Sequence, residues 1–253
     1  FKGDITEFNW AISEDKKQFV LYNAQQRQNS FQIQYCYNVA DSLSAIHTVS
    51  VPTNEIALLS KFVLNKDGVL ATFIQDVSAS LNKPFSHALA TIHLVDESVG
   101  FSSIPLPSNA YAVEHLVTPH PVNNQFFLSV IVKAKTRQAV KNLQIYQIVE
   151  KGAKARMLAS YAFNANELFA QASMSSNFDL QQFHLNKAIC KKDGSLFLEL
   201  ENYFETSRVV NMGGFSVMAF GSAPMSNTKT IREYHYGPAA ILNFDKDGII
   251  KWC

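Results

Sequence analysis

A short polar turn followed at once by an apolar or alternating run recurs five times along the chain, and this rhythm limits the fold more than any single residue does. The turns lie at 13–16, 66–68, 122–124, 192–194 and 246–248, and the runs after them occupy 19–22, 69–74, 126–132, 196–200 and 249–252. Measured at Asp15, Asp67, Asn124, Asp193 and Asp247, the intervals are 52, 57, 69 and 54 residues. Each interval has room for about four strands of ordinary length with their connections. The Asp-Gly pairs, Asp67-Gly68, Asp193-Gly194 and Asp247-Gly248, read as structural turns, because glycine accepts the positive φ that tight hairpins require.

The segments between these marks are rich in strand patterns. Residues 31–39 (FQIQYCYNV) alternate, with Phe31, Ile33, Tyr35 and Tyr37 on one face. Further strands are expected at 45–51, 55–63, 87–95, 111–117, 142–149, 157–163, 183–190, 196–203, 215–220 and 239–244. The run 126–132 (FFLSVIV) is apolar throughout and suits an inner strand. Prolines at 105 and 107 mark 98–109 as an edge or a connection. The polar run 23–30 (NAQQRQNS) and the segments 77–85, 205–214 and 222–233 read as loops, and 164–176 is the one helix candidate. Many short strands and hardly a helix point to an all-β domain.

A sandwich uses seven to nine strands in about 100 residues, so this length would require two, and no linker divides the chain. Four-stranded blades tolerate unequal rim loops. The expectation is therefore a single irregular β-propeller over residues 1–253, built from short antiparallel sheets and incomplete at the chain ends. Both ends, Phe1 and Cys253, have the look of cuts through a longer sequence.

Composition narrows the function. Hydrophobic residues make up 47% of the chain and charged residues 17%, and 22 basic side chains face 21 acidic ones. Such a balance gives no field to steer a polyanion, so nucleic acid is not an expected partner, although 133–141 (KAKTRQAVK) is locally basic. Cys36, Cys190 and Cys253 neither form a disulfide framework nor sit at metal-ligand spacing. No uninterrupted run of 18 apolar residues is present, which argues against a membrane-spanning helix.

Compact catalytic motifs are missing. The seven histidines lack the close pairing of zinc sites; His87 and His93 share a strand face but stand about 20 Å apart. His115 and His120 could meet His235 only if separate sheets brought them together. Glu199 and Glu201 share a strand face, as a pair of hydrolytic carboxylates would, but alternation with Leu196, Leu198 and Leu200 gives them a solvent-facing role. Gly221-Ser222 lacks the second glycine of a nucleophile elbow, and 245–248 lacks the ligand series of a calcium loop. No catalytic residue, metal ligand or cofactor is assigned. Aromatic and basic residues beside the two long segments, Tyr203, Phe204, Arg208, Arg232, Tyr234, His235 and Tyr236, form the candidate binding rim.

The C-terminal third carries a resemblance. Residues 183–203 (FHLNKAICKKDGSLFLELENY), then Tyr234-His235-Tyr236-Gly237 and 240–252 (AILNFDKDGIIKW), resemble the tail of uncharacterised β-propeller-like proteins common in the Bacteroidota. In that family a Lys-Asp-Gly turn enters an apolar strand ending in Glu-x-Tyr. A polar loop, a tyrosine-bearing segment and a strand of the form Asp-x-Asp-Gly-x-Ile-x-Trp come next. Lys192, Asp193, Gly194, Glu201, Tyr203, Tyr236 and 245–252 occupy these positions, whereas Ser195 and Ala239-Ala240 depart from the pattern. The resemblance implies a periplasmic, cell-surface or secreted location and a structural hydrogen bond from Glu201; it implies no activity. The functional expectation is a non-catalytic binding or scaffold module for a glycan, a peptide or an envelope protein. The alternative is a secreted glycoside hydrolase-like enzyme whose carboxylates converge on a central funnel.

Overall fold

A computed structural model describes residues 8–39, 42–53, 57–76, 87–107, 110–134, 141–149, 155–162, 183–211 and 228–252. They form four short antiparallel sheets in chain order, with no barrel closure. The first contains β1 (Asn9–Ile12), β2 (Phe19–Arg27), β3 (Ser30–Val39), β4 (Ser42–Leu43) and β5 (His47–Pro52), the last two both paired to β3. The second contains β6 (Ala57–Leu59) and β7 (Val63–Leu64), both on β8 (Val69–Asp76), then β9 (His87–His93) and the edge strand β10 (Val99–Ser103). The third runs β11 (Ala110–Pro119), β12 (Gln125–Ala134), β13 (Asn142–Val149), β14 (Arg156–Ala162). The fourth runs β15 (Phe183–Cys190), β16 (Leu196–Asn211), β17 (Thr228–Phe244), β18 (Ile250–Trp252).

Three apolar cores lie between successive sheets. Val20, Ile33, Tyr35 and Val51 of the first sheet meet Leu70, Ala90 and Ile92 of the second. Phe73 and Leu89 on the opposite face of the second meet Phe126, Leu128 and Val130 of the third. Phe127, Ile131 and Ile145 of the third then meet Leu196, Leu198, Leu200 and Phe244 of the fourth. β12 therefore feeds two cores at once, Phe126 and Phe127 pointing to opposite sides. This is why 126–132 reads as continuously apolar: both faces of that strand are covered. Each fully buried Leu, Ile or Phe contributes about 1.5–3 kcal/mol of transfer free energy.

Polar bridges stitch the same seams. The Tyr35 hydroxyl donates to the Leu94 carbonyl (3.3 Å), and His47 Nδ1 lies 2.8 Å from Glu97 Oε1. The Asn65 side-chain amide donates to Asn124 Oδ1 (3.1 Å) between the second and third sheets. The Tyr161 hydroxyl donates to the Gly248 carbonyl (2.9 Å) between the third and fourth.

The five marks separate into two kinds. Four are hairpins, one in each sheet: β1–β2, β7–β8, β11–β12 and β15–β16. The fifth, at 245–249, joins β17 to β18 within the fourth sheet and packs on β14. The last interval of 54 residues is consequently not a sheet-to-sheet period. Gly68, Gly194 and Gly248 have φ of +75°, +85° and +82°. Asn65 and Asp245 open equivalent turns: each side-chain oxygen accepts the backbone N–H groups two and four residues on, at 2.8–3.0 Å.

The polar run 23–30 is not a loop. Residues 23–27 continue β2, paired through Arg27 with Ser30 across a two-residue turn; β3 stays packed along this stretch through Phe31 and Ile33, while the β2 side chains are only partly covered or exposed. Likewise the described parts of the two expected rim loops are strand: Glu205 to Asn211 belong to β16 and Thr228 to Glu233 to β17. In both places cross-strand backbone pairing holds segments whose side chains bury little, and an apolarity reading passes over them. The helix candidate 164–176, the loop 77–85 and the strand 215–220 lie outside the described residues.

Candidate functional site

The fourth sheet carries an arm. Among the described residues β15 pairs with β16 only as far as Asn202, and β18 reaches only Asn243 and Phe244 of β17. Beyond these points β16 and β17 run on together as a two-stranded ribbon through the pair Asn211 and Thr228. The step from the pair Glu201/Ala239 to the pair Tyr203/Tyr236 contains one extra residue in β17, a bulge. There Gly237 approaches Asn202 so closely that a Cβ would lie 3.2 Å from its side chain. Bulges bend a strand and re-aim the side chains beyond them.

Residues opposite one another in register share a face. On one face of the ribbon Tyr203 stands opposite Tyr236, and Glu205 opposite Tyr234. The tyrosines are 38%, 71% and 54% exposed, in the order Tyr203, Tyr236, Tyr234. The rings of Tyr203 and Tyr236 are 6.5 Å apart, and that of His184 in β15 lies 4.3 Å from Tyr203. Arg208 pairs with Glu233 at 2.8 Å and Arg232 with Glu205 at 3.4 Å, so both arginines of the candidate rim stitch the ribbon to itself. His235 Nε2 lies 3.0 Å from Thr206 Oγ1, and Phe204 stands opposite His235 in register. The rim residues thus sit in the middle of a strand pair, not at loop boundaries.

At the root of the ribbon is a polar cleft of about 420 Å³ lined by Glu114, His184, Leu185, Asn186, Glu201 and Tyr203. Glu114 enters it from the third sheet. A register shift at Val113 turns β11 over, so that Ala112 is buried against the second sheet while Glu114 reaches the fourth. One carboxylate oxygen of Glu114 lies 2.6 Å from His184 Nδ1, and the other accepts the Leu185 N–H at 2.7 Å. Glu201 stands opposite His184 in register, and Glu199 accepts from the Asn186 amide at 3.2 Å. Nothing in the sequence marks Glu114, because the bulge that aims it leaves no pattern there.

A second concavity lies where the β1–β2, β7–β8, β11–β12 and β15–β16 hairpins converge. It measures about 690 Å³, and Glu14, Asp15, Asn65, Lys66, His120 and Asp193 are among its walls. Two of its carboxylates serve their own turns. Asp15 Oδ1 accepts the Ser13 hydroxyl (2.6 Å) and the Lys17 N–H (3.1 Å); Asp193 Oδ1 accepts the Ser195 hydroxyl (2.6 Å) and N–H (3.0 Å). These hydrogen bonds hold both carboxyls below the usual carboxylate range. Cys190, at the same end, has its thiol pushed up to about 12, chiefly by burial, and is inert as a nucleophile.

His115, His120 and His235 do not meet. His115 lies against Phe73 (ring centroids 4.7 Å), His120 against Phe127 (6.1 Å), and His235 is in the ribbon. Among the described residues no group of three or more His, Cys, Asp or Glu side chains is placed to hold a metal ion. Among the same residues no helix is long and apolar enough to cross a membrane.

No protein-family model matches the sequence. No curated protein matches it either. Among solved structures, prolyl oligopeptidase B from Galerina marginata, bound to a 35mer hydrolysis and macrocyclization substrate, is similar at a TM-score of 0.35 and 16% identity, over 78% of this chain and 30% of that one. The polysaccharide lyase Uly1 is similar at a TM-score of 0.34 and 10% identity, over 94% of this chain and 58% of that one. The chain therefore spans less than two thirds of either protein. Likenesses at this level have no bearing on its chemistry.

Proposed function

We propose that the chain is a non-catalytic binding module built on an irregular β-propeller, and that it holds a glycan along the tyrosine-bearing face of the β16–β17 ribbon. The observation that carries this reading is the continuity of Tyr203 with both surfaces. Its ring joins the polar cleft of Glu114, His184, Asn186 and Glu201 to the exposed rings of Tyr234 and Tyr236. Flat aromatic faces beside a few carboxylate and amide groups suit a sugar, which offers C–H faces to stack and hydroxyls to hydrogen-bond. Both ribbon arginines are occupied by carboxylates, which favours a neutral chain over an anionic one. The similarity of the C-terminal third to propeller-like proteins of the Bacteroidota supports placing the module in an exported or cell-envelope protein.

The hydrolase reading needs one carboxyl kept protonated and a second free to act. Asp15 and Asp193 in the concavity between the hairpins are tied to their own turns, and in the polar cleft Glu114 is taken up by His184 and the Leu185 N–H, so among the described residues neither place offers a second carboxylate beside Glu14 or Glu201 that is not already engaged, and binding is the better account. Isothermal titration with neutral oligosaccharides tests it. Wild type is expected to bind a member of the panel, and the Tyr234→Ala/Tyr236→Ala double variant to lose about tenfold or more with its melting temperature unchanged. Binding unaffected by the double substitution, or binding of peptides alone, would overturn the glycan assignment.

A further inference from the structure

The cleft at the root of the ribbon is acidic, and its unanswered charge sits on one side chain. Of the described residues that line it, Glu114 and Glu201 are carboxylates and none is Lys or Arg. Glu114 is fully engaged: Oε1 meets His184 Nδ1 at 2.6 Å and Oε2 accepts the Leu185 N–H at 2.7 Å. Glu199, two residues before Glu201 on β16, stands opposite Lys187 and accepts from the Asn186 amide at 3.2 Å. Glu201 stands opposite His184 instead, and among the described residues it has no hydrogen bond or ion pair. Even with the His184 ring protonated, two carboxylates face one cation across this cleft.

His184 adds a second acceptor. A carboxylate has no proton to give, so Nδ1 is the donor in the contact with Glu114, and in the neutral ring Nε2 is left with its lone pair. Residues opposite one another in an antiparallel pair project to the same face with Cβ atoms about 4.5–5.5 Å apart. His184 and Glu201 are such a pair, and Tyr203, two residues on from Glu201 along β16, brings its ring centroid to 4.3 Å from that of the imidazole. A carboxylate, an imidazole lone pair and an aromatic ring therefore border one space of about 420 Å³. All three attract the same partner, a cation with hydrogens to donate, through an ion pair, an N–H bond and the ring quadrupole respectively.

We infer that the cleft takes a primary ammonium group, carried by the glycan on the ribbon as an amino sugar whose amine is not acetylated. This rests on the glycan reading and names the class of sugar at its cleft end. The ammonium pairs with Glu201, donates a further N–H to His184 Nε2 and lies beside the Tyr203 ring, while Glu114 acts only by fixing the tautomer of His184. Positive charge is matched at this end alone, because on the ribbon Arg208 and Arg232 are already balanced by Glu233 and Glu205. An acetamide in the same place lacks the charge and two of the three N–H donors, and a hydroxyl lacks the charge and has one hydrogen to donate.

Glu201→Gln is the discriminating variant, since it keeps the size of a half-buried side chain outside the apolar cores and deletes only its charge. Titration calorimetry near neutral pH and at low ionic strength compares glucosamine and galactosamine oligomers with their N-acetylated forms and with glucose and galactose oligomers of the same length. Wild type is expected to bind one of the free-amine series about tenfold more tightly than its acetylated and neutral counterparts, by a margin that shrinks with added salt. Glu201→Gln should remove the margin while its affinity for the neutral oligomers and its melting temperature stay as in wild type. Equal affinity of wild type for the three kinds of oligomer, or a margin that survives Glu201→Gln, would overturn the amine assignment and leave the glycan reading standing. Binding of none of the oligomers, or of lysine peptides alone, would overturn both.

Discussion

Glu114 and His184 meet across the third seam, Oε1 to Nδ1 at 2.6 Å, while the second carboxylate oxygen takes the Leu185 N–H. One side chain therefore fixes both the backbone and a ring of the neighbouring sheet. Glu114→Ala is expected to destabilise the protein by about 1–2 kcal/mol, the value for a charge-assisted hydrogen bond reduced for its partial exposure. Glu114→Gln should cost less, since the amide oxygen can still accept from Leu185. Urea midpoints for the two variants check the order.

Acid should weaken the fold through two histidines before it reaches the carboxylates. Burial holds the imidazoles of His115 and His120 below their ordinary value, opposed in part by Glu114 and Asp193 respectively. Between the unfolded value, about 6.5, and the lower folded one, the unfolded chain binds more protons, so stability falls as pH drops through that window. Above about pH 7 the term is fully present and flat. His120→Asn is expected to shallow the decline below about pH 6.5; an identical slope in variant and wild type contradicts a lowered His120 value.

Two glycines with similar backbone angles should respond differently to alanine. Gly68 has φ +75°, and a Cβ there would meet nothing within 4 Å, so Gly68→Ala costs only the left-handed strain, about 1–2 kcal/mol. Gly248 has φ +82° and a Cβ there would lie 2.9 Å from the Leu158 carbonyl oxygen, on β14 of the third sheet. Gly248→Ala must add displacement of the β17–β18 turn to the same strain. Denaturant midpoints should fall further for Gly248→Ala.

Core and ribbon should separate cleanly under mutation. Leu198 is fully buried in the third core, and Leu198→Ala is expected to cost about 2–5 kcal/mol. Arg208→Ala and Arg232→Ala each remove a solvent-exposed ion pair and are expected to change stability by less than about 1 kcal/mol. A large loss on either arginine substitution would mean that the ribbon is structurally coupled to the packed sheets.

The strand-rich sequence makes the all-β class and its division into short antiparallel sheets legible, because alternation at 31–39 and the doubly apolar 126–132 report burial on one and on two faces. Two physical kinds of feature escape such a pattern. Strand pairs that bury little, such as 23–27 and 205–211, are held by backbone hydrogen bonds, which leave no apolar trace. Side chains aimed by irregularities, such as Glu114 after the shift at Val113, are invisible to periodicity. The fifth turn shows the converse: Asp245 and Asn65 build the same local structure, yet the Asn65 turn lies where hairpins of the four sheets converge and the Asp245 turn packs on β14. The candidate rim is legible as composition, but its position in a ribbon depends on the pairing of β16 with β17 across a long sequence separation.

Four sheets joined by three cores behave like links in a row. Among the described residues the first and fourth each share an apolar core with one neighbour, the second and third with two. Local opening should therefore begin at the outer links and spread inward, with the strands β8, β9, β12 and β13 exchanging their amide hydrogens last. The arm hangs from an outer link, so a load placed on Tyr236 is felt first by the clasp least supported by the rest of the molecule.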